Sequence, residues 1–481
     1  MGLAFVPLYI HYLGIESYGL IGVFSLLQSL LVVLDMGLTP TLGREMARFR
    51  AGEHTPRSIH ELFRSLEIAS LVLAIVTGSM LTAMAPWLAG EWVRAEHLSQ
   101  DVVTQALAIM GSVVALSWLA SLYRGAILGL QRQVWLNGCI AIFATVRGVG
   151  VLAVLAWISP TIQAFFIFQC VAALVETVVL AIQIRRWLPR LSGSAKLAWT
   201  EFRRVSRFAA GMTTIALLSI ILVQADKMIL SKLLSLTEFG YYTLAATVAG
   251  ALLRLVYPVT GAAYPRLVEL IGRGDTTQLK YTYHRLSQLI TIVVVPAALV
   301  VSTFSEHFLL LWTRDPTVTA AVHPLVSLLV IGTMLNALVN LPYLLQLAHG
   351  RTRLAIGINI VAIMLLVPSL YVGVSHYGAI AAAVAWVVLN TGYVVFGVPL
   401  MHRYLLPDEM RRWYWKDVFL PAFGALAATA AVRFFAPSPV LANPVESALI
   451  VSSAALLAIL AAIIASPVRS ELLNWCRQYH E

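Results

Sequence analysis

Charged side chains are scarce in this sequence, and hydrophobic ones are abundant. Asp, Glu, Lys and Arg together make up 12% of the 481 residues, whereas 59% are hydrophobic. A water-soluble domain has about 25% charged residues, because its surface must be solvated. The composition therefore excludes a soluble globular fold and predicts a chain whose solvent is mostly lipid.

Cysteine and clustered acidic residues are also scarce. The three cysteines, Cys139, Cys170 and Cys476, are too few and too widely separated for a disulfide framework or a metal site. The seven aspartates are isolated from one another, and we find no nucleotide-binding glycine loop, zinc-ligand spacing or nucleophile elbow. The sequence thus argues against an enzyme, and it predicts no catalytic residues, no cofactor and no metal.

Long apolar runs recur along the whole chain, and most have the length that crosses a bilayer as a helix, about 20 residues. We expect an all-α, polytopic membrane protein with about fourteen transmembrane helices. The predicted helices lie near 1–13, 18–42, 66–89, 102–123, 135–158, 161–184, 208–231, 239–263, 284–312, 319–347, 354–375, 377–401, 418–435 and 445–466. The first is shorter than a full span, and it lacks the basic start and the cleavage site of a secretory signal peptide.

Lys and Arg are not spread evenly between these predicted helices. Most of the 33 fall into every second loop, and the segment from Arg185 to Arg207 is the richest. Loops with such an excess face the cytoplasm, so the pattern predicts that both termini are cytoplasmic. The net charge of +10 is accordingly expected to contact anionic membrane lipids, and not nucleic acid, which needs a folded basic surface.

Sequence landmarks recur after nearly the same interval. Gly19 recurs as Gly240, 221 positions later, and Arg44 recurs as Arg266, 222 positions later. The common interval indicates a duplication, and the even number of helices between the copies gives both the same orientation. We therefore expect two pseudo-symmetric six-helix lobes plus two extra C-terminal helices, as in an alternating-access transporter. The predicted parts are an N-terminal lobe (1–190), a basic cytoplasmic linker (191–207), a C-terminal lobe (208–404), and the last two helices with a cytoplasmic tail (405–481).

Several short motifs resemble those of one bacterial transporter family. They are Tyr12-Leu13-Gly14 through Tyr18-Gly19-Leu20, Leu34-Asp35-Met36-Gly37-Leu38, Arg44-Glu45-Met46-Ala47-Arg48, Gln224-Ala225-Asp226-Lys227 with Gly240-Tyr241-Tyr242, and Pro342-Tyr343 followed by Gln346-Leu347-Ala348-His349-Gly350. They resemble oligosaccharide flippases of the polysaccharide transport branch in the multidrug, oligosaccharidyl-lipid and polysaccharide (MOP) exporter superfamily. The resemblance covers most of the first twelve predicted helices.

This resemblance implies a substrate, a location and partners. The expected substrate is an undecaprenyl-pyrophosphate-linked oligosaccharide, moved from the inner to the outer leaflet of the bacterial cytoplasmic (inner) membrane. The product would feed O-antigen, capsule or exopolysaccharide assembly, with a polysaccharide polymerase and a chain-length regulator as partners.

Two rival functions remain open at the level of sequence. A drug or cation antiporter of the multidrug and toxin extrusion branch would share the architecture, but its acidic cavity residues would outnumber the basic ones. A membrane-embedded polysaccharide polymerase or glycosyltransferase would need a sizeable external loop or a clustered acidic motif. Arg147 and Arg254, which lie inside predicted helices, disfavour the first rival. The short loops predicted on the external side disfavour the second.

Ionisable residues inside the predicted helices are few, and each is costly unless it meets water, a partner or substrate. Asp35, Arg147 and Arg254 lie near mid-depth when about 1.5 Å is counted per helical residue. We expect Arg147 and Arg254, with Asp35, to form the substrate site, because guanidinium stays charged in a cleft and donates in a fork to pyrophosphate oxygens. The alternative is a static ion pair of Asp35 with either arginine that only joins helices.

Three further residues are candidates for coupling transport to an H⁺ or Na⁺ gradient. Glu176 and Asp226 are isolated carboxylates in predicted helices, and a partly buried carboxylate can alternate between its protonated and charged forms. Lys227 adjoins Asp226 and belongs to the same predicted coupling site. In the alternative interpretation, Asp226 only pairs with Lys227 or lies at the outer membrane interface.

Overall fold

The computed structural model describes residues 2–34, 38–189, 220–350, 352–437, 443–467 and 469. Its helices are α1 (Gly2–Leu34), α2 (Leu38–Arg50), α3 (Pro56–Trp87), α4 (Gln100–Gly129), α5 (Gln133–Trp157), α6 (Ile162–Trp187), α7 (220–233), α8 (Leu236–Ala251), α9 (Leu253–Gly272), α10 (Thr276–Thr303), α11 (Ser305–Thr313), α12 (Pro316–Ala348), α13 (Thr352–Tyr377), α14 (Ala379–Gly392), α15 (Val398–Leu405), α16 (Met410–Arg412), α17 (Leu420–Phe435) and α18 (Pro444–Ala465). Turns of π-helix follow α3, α14 and α16, at Leu88–Trp92, Tyr393–Gly397 and Trp413–Phe419. Apart from one isolated β-bridge between Arg94 and Ser235, these residues form no β-structure, which confirms the all-α fold.

Among the described residues, twelve helical segments are long and apolar enough to cross a membrane. This confirms a multi-pass membrane protein, while the count of fourteen stays a prediction. One difference is that the predicted helix 1–13 and the first part of the predicted helix 18–42 are joined in α1, because a single residue with positive φ, Gly14 (φ 77°), makes the break that the sequence assigns to a loop. The end of the predicted helix 18–42, from Leu38, belongs to the separate helix α2. The other is that the predicted helix 208–231 lies only partly within the described ranges.

Several helices start where the sequence supplies both a capping side chain and a proline. The Thr55 side chain accepts a hydrogen bond from the Ser58 amide (3.2 Å), just before α3 begins at Pro56. Asp315 likewise accepts from two backbone amides at the start of α12. Since the first amides of a helix have no partner inside it, these caps fix where the helices enter their apolar spans.

Backbone contacts divide the chain into two compact units, Met1–Gly240 and Tyr241–Glu481. In the first unit, α4 packs against α2, α3 and α6. In the second, α10 packs against α9, α12, α17 and α18, and α17 packs against α18. The lobe boundaries stay a prediction, and the predicted linker 191–207 lies outside the described residues.

The duplicated landmarks meet inside the first unit. A Cβ atom on Gly19 would lie 2.3 Å from the carbonyl oxygen of Leu236, and one on Gly240 would lie 2.4 Å from that of Ile15. Leu236 is 221 positions after Ile15, just as Gly240 is 221 positions after Gly19. The two contacts are therefore equivalent under the repeat. Gly19 packs against Leu236, and Gly240, the repeat of Gly19, packs against Ile15, whose repeat is Leu236.

Adding one methyl group at this contact is expected to destabilise the protein. Gly240→Ala places a Cβ against backbone that cannot rotate away, at a cost of about 1–3 kcal/mol. Gly250→Ala in the same helix is the control, because no heavy atom lies within 4 Å of its new Cβ. Thermal unfolding should show a lower midpoint for Gly240→Ala alone, and equal midpoints for the two variants would contradict the close contact.

Candidate functional site

Three charged side chains meet between α4, α5 and α6 in the first unit. One Glu176 carboxylate oxygen accepts a hydrogen bond from Nη2 of Arg147 at 2.8 Å, and the other accepts from Nη2 of Arg124. Two guanidinium groups thus share one carboxylate. The cluster, which we call the Arg-Glu-Arg triad, carries one net positive charge.

Burial differs among the three members of the triad. The Glu176 side chain is 3% exposed, that of Arg147 is 23% exposed and that of Arg124 is 37% exposed. The Nε atoms of both arginines are buried and have no hydrogen-bond partner among the described residues. Because a buried donor without an acceptor is costly, these two N–H groups are suited to an anionic ligand that brings more oxygen atoms.

Local packing holds each member of the triad in place. Thr177, next to Glu176, donates to the carbonyl oxygens of Ala173 (2.7 Å) and Leu116 (3.1 Å), which fixes α6 against α4. Gly148, next to Arg147, lies so close to Phe5 that an added Cβ would meet the ring at 2.3 Å. Helix α1 can therefore approach α5 beside the guanidinium. Counting about 1.5 Å per residue, Glu176 lies roughly 17 Å from the end of α6 at Trp187, deep in its span.

The sequence-based prediction of the position of Arg124 is wrong. The sequence assigns it to the loop after the predicted helix 102–123, but α4 continues to Gly129. The predicted helix ends at the first charge, whereas the structure places an apolar turn beyond Arg124 and supplies Glu176 as its partner. The signal for this contact is Glu176 itself, because a lone carboxylate in a span needs a cation nearby.

The other predicted site residues are placed separately. Arg254 lies on α9 in the second unit with an exposed side chain, and Asp35 lies outside the described residues. Asp226 and Lys227 lie on α7 and are partly buried. The Lys227 ammonium donates to Oε1 of Gln224 at 3.1 Å. The structure thus brings together Arg147 and Glu176, to which the sequence assigns different roles.

Comparison with known proteins identifies the family. The family described as "Polysaccharide biosynthesis protein" matches residues 1–271, more than half of the chain, and the chain belongs to that family. It is similar to a putative O-antigen transporter of Shigella flexneri, with 22% identity over 382 residues that cover 78% of this chain and 87% of the relative. It is also similar to the lipopolysaccharide biosynthesis protein WzxC of Escherichia coli (strain K12), with 22% identity over 46% of this chain and 44% of the relative.

Solved structures with the same fold belong to transporters. One is a multidrug resistance MATE family transporter of the MOP superfamily in an inward-facing conformation, with a TM-score of 0.67, 13% identity, and coverage of 83% of this chain and 92% of that one. Another is the lipid II flippase MurJ, with a TM-score of 0.65, 11% identity, and coverage of 95% and 98%. The expected resemblance to bacterial polysaccharide biosynthesis proteins is confirmed, and the chain has the fold of these membrane transporters.

Proposed function

We propose that this protein moves an undecaprenyl-pyrophosphate-linked oligosaccharide from the inner to the outer leaflet of the bacterial cytoplasmic membrane. The family match and the named relatives support polysaccharide assembly as the pathway. The Arg-Glu-Arg triad is the observation that carries the proposal for this chain. Two arginines around one carboxylate suit a doubly anionic diphosphate, whereas they would repel the cation that an extrusion-type antiporter carries.

The diphosphate binds by replacing Glu176 as the partner of the two arginines. Each guanidinium is planar and donates two parallel N–H groups to phosphate oxygens, which fixes both the distance and the orientation of the headgroup. The unpartnered Nε groups of Arg124 and Arg147 acquire acceptors in that arrangement. Binding therefore relieves two unsatisfied donors and releases the Glu176 carboxylate.

Glu176 is the proposed coupling group. Its carboxylate and the diphosphate compete for the same guanidinium donors, so a proton, or a sodium ion in its place, on Glu176 raises affinity for the anion. The doubly anionic diphosphate and the one proton or sodium ion that leaves with it together carry one net negative charge outward. The membrane potential, negative inside, favours that movement by about 2.3 kcal/mol per net charge at 100 mV.

An uncoupler, which collapses the membrane potential and the proton gradient, should stop export by intact cells. Unchanged export would contradict the coupling.

The remaining predicted residues belong to the same proposal. Arg254 and Asp35 are proposed as further substrate contacts, and Asp226 with Lys227 as a second coupling position. The basic loops and both termini are proposed to lie in the cytoplasm, against anionic lipids. A polysaccharide polymerase and a chain-length regulator are the proposed partners that act on the exported product.

Deletion of the gene in its host tests the proposed step. We expect loss of the surface polysaccharide together with a build-up of complete lipid-linked oligosaccharide in the cytoplasmic leaflet, both reversed by the wild-type gene. Thin-layer analysis of extracted lipids, with and without an impermeant glycosidase, measures which leaflet holds the units. Normal polymer with increased drug sensitivity would instead assign the protein to drug extrusion.

A further inference from the structure

A buried polar network joins α10 to the segment that follows α15. Lys280, His284 and Gln288 recur every four residues and so lie on one face of α10. Opposite them, Glu409 and Asp417 are eight positions apart, on either side of the start of the π-helical turn at Trp413. The five side chains, which we call the His284 network, connect two parts of the chain that are more than 120 positions apart.

Basic and acidic side chains alternate along the network. Nζ of Lys280 lies 2.8 Å from Oε1 of Glu409, and the other oxygen of Glu409 lies 3.0 Å from Nε2 of His284. Nδ1 of His284 contacts Oδ2 of Asp417, and the Gln288 amide donates to Oδ1 of Asp417 at 2.7 Å. The side chains of His284 and Asp417 are 2% and 0% exposed, so water cannot replace these partners.

Both ring nitrogens of His284 face carboxylate oxygens. A neutral imidazole has one N–H and one bare nitrogen. One of the two carboxylates would therefore face a nitrogen lone pair, which repels it. An imidazolium donates to both, and its charge with that of Lys280 balances Glu409 and Asp417. Burial of two carboxylates without that balance would be strongly unfavourable. The network therefore requires one more proton than a neutral histidine would bring.

A neighbouring histidine shows the opposite arrangement. Nδ1 of His402 donates to the carbonyl oxygen of Val398 at 2.9 Å, and its Nε2 lies 3.2 Å from the hydroxyl of Tyr283. A carbonyl acceptor and a hydroxyl donor satisfy a neutral ring, with the tautomer assigned from these partners. Two buried histidines in the same core are thus distinguished by their partners alone.

We propose that His284, as an imidazolium that donates to both Glu409 and Asp417, holds the start of the C-terminal helices against α10. We call this proton-dependent contact the clasp. The fastened segment, 409–419, leads directly into α17, and α17 packs on α10 and α18. Loss of the proton leaves a bare ring nitrogen against a carboxylate and loosens that segment. The C-terminal helix pair would then respond to pH at the end of α10 that the charge pattern predicts to be cytoplasmic.

The groups that face the imidazole are few. From α10 they are Lys280 and Tyr283, from the 409–419 segment Glu409 and Asp417, and from α15 His402. No ion pair reaches His284 from the described parts of α9, α12, α17 or α18. Two carboxylates and one ammonium group are thus the charged groups around the ring.

Protonation of Glu409 sets the low-pH limit for the stability of the clasp. Burial raises the pKa of Glu409, but its hydrogen bonds with Lys280 and His284 and their charges lower that pKa below its ordinary value. Its contribution to stability is present above the ordinary range of a glutamate and is lost as pH falls through the lowered pKa.

Nitrogen-15 spectra of histidine in the full-length protein in nanodiscs test the clasp directly. At pH 7.5 we expect protons on both nitrogens of His284 and on only one nitrogen of His402. His284→Lys, which keeps the cation, identifies the His284 signal by its absence. A bare nitrogen on His284 at this pH would overturn the proposal, whether or not any variant is stable.

The pH dependence of thermal unfolding supplies the second test. Between pH 6.5 and pH 9, the midpoint of the wild type should fall more steeply than that of His284→Lys, whose cation persists across this range. His284→Gln should already be less stable at pH 6.5, because it donates to one carboxylate only. The exposed residue His376 supplies the control, and His376→Lys should keep the wild-type profile. Parallel profiles for the wild type and His284→Lys would contradict the clasp.

Discussion

Replacement of Arg124 and Arg147 together by glutamine should abolish polysaccharide export while the protein stays in the membrane at normal abundance. Glutamine keeps polarity but cannot offer a charged fork to the diphosphate. A hydrogen bond to a charged group contributes about 1.5–3 kcal/mol, so loss of both arginines should weaken binding about 100-fold or more. Surface polymer in a deletion strain that carries the variant gene measures the effect.

Matched variants separate the triad from a general loss of positive charge. Arg186→Gln removes an exposed arginine from the end of α6 and should leave export close to normal. Arg124→Gln and Arg147→Gln alone should each give intermediate export. Full export by the double variant would exclude the triad as the diphosphate site, and full export by Arg147→Ala with Arg254→Ala would exclude the pair that the sequence favours.

Removal of the Glu176 carboxylate should lower the stability of the protein. Glu176→Ala leaves two guanidinium groups without their shared partner, and loss of one partner of a buried ion pair costs about 3–5 kcal/mol. We expect the low end of that range, since Arg124 is 37% exposed and keeps some contact with solvent. The midpoint of thermal unfolding of the purified variant measures the loss.

Glu176→Gln distinguishes a coupling group from a static partner. The amide resembles the protonated acid in shape and charge, so the variant should bind the diphosphate at least as tightly as the wild type, but without dependence on pH. Its turnover should fall, because the site can no longer expel the anion by regaining a carboxylate. The control is Glu91→Gln, at an exposed residue after α3. A pH dependence of binding that survives Glu176→Gln would show that Glu176 is not the coupling group.

Local composition is enough to predict the class of fold, because hydropathy and loop charge both depend on it. Apolar runs of sufficient length predict most of the helices, and Arg147 and Glu176 stand out as costly charges within them. Their pairing is not predictable from sequence, since the apolar runs of α5 and α6 leave the rotation of each helix about its axis undetermined. Arg124 escapes sequence reasoning because a charge commonly marks the end of an apolar span, whereas α4 continues to Gly129.

The His284 network shows a second limit of sequence reasoning. Its contacts join residues up to 133 positions apart, and neither His284 nor Asp417 belongs to a short motif. Only the fold brings the 409–419 segment against α10. The reciprocal contact of Gly19 and Gly240 is the opposite case, because the repeat interval in the sequence is sufficient to select both residues.

Reconstituted transport tests the central claim most directly. Purified protein in liposomes that contain an undecaprenyl-pyrophosphate-linked oligosaccharide should expose that lipid to an external, impermeant lectin when the interior is made electrically negative. The account predicts a rise that depends on the potential and is absent with the Arg124→Gln, Arg147→Gln variant. If exposure stays at the level of protein-free liposomes while the same protein carries a cationic drug, the protein is not a lipid-linked oligosaccharide flippase.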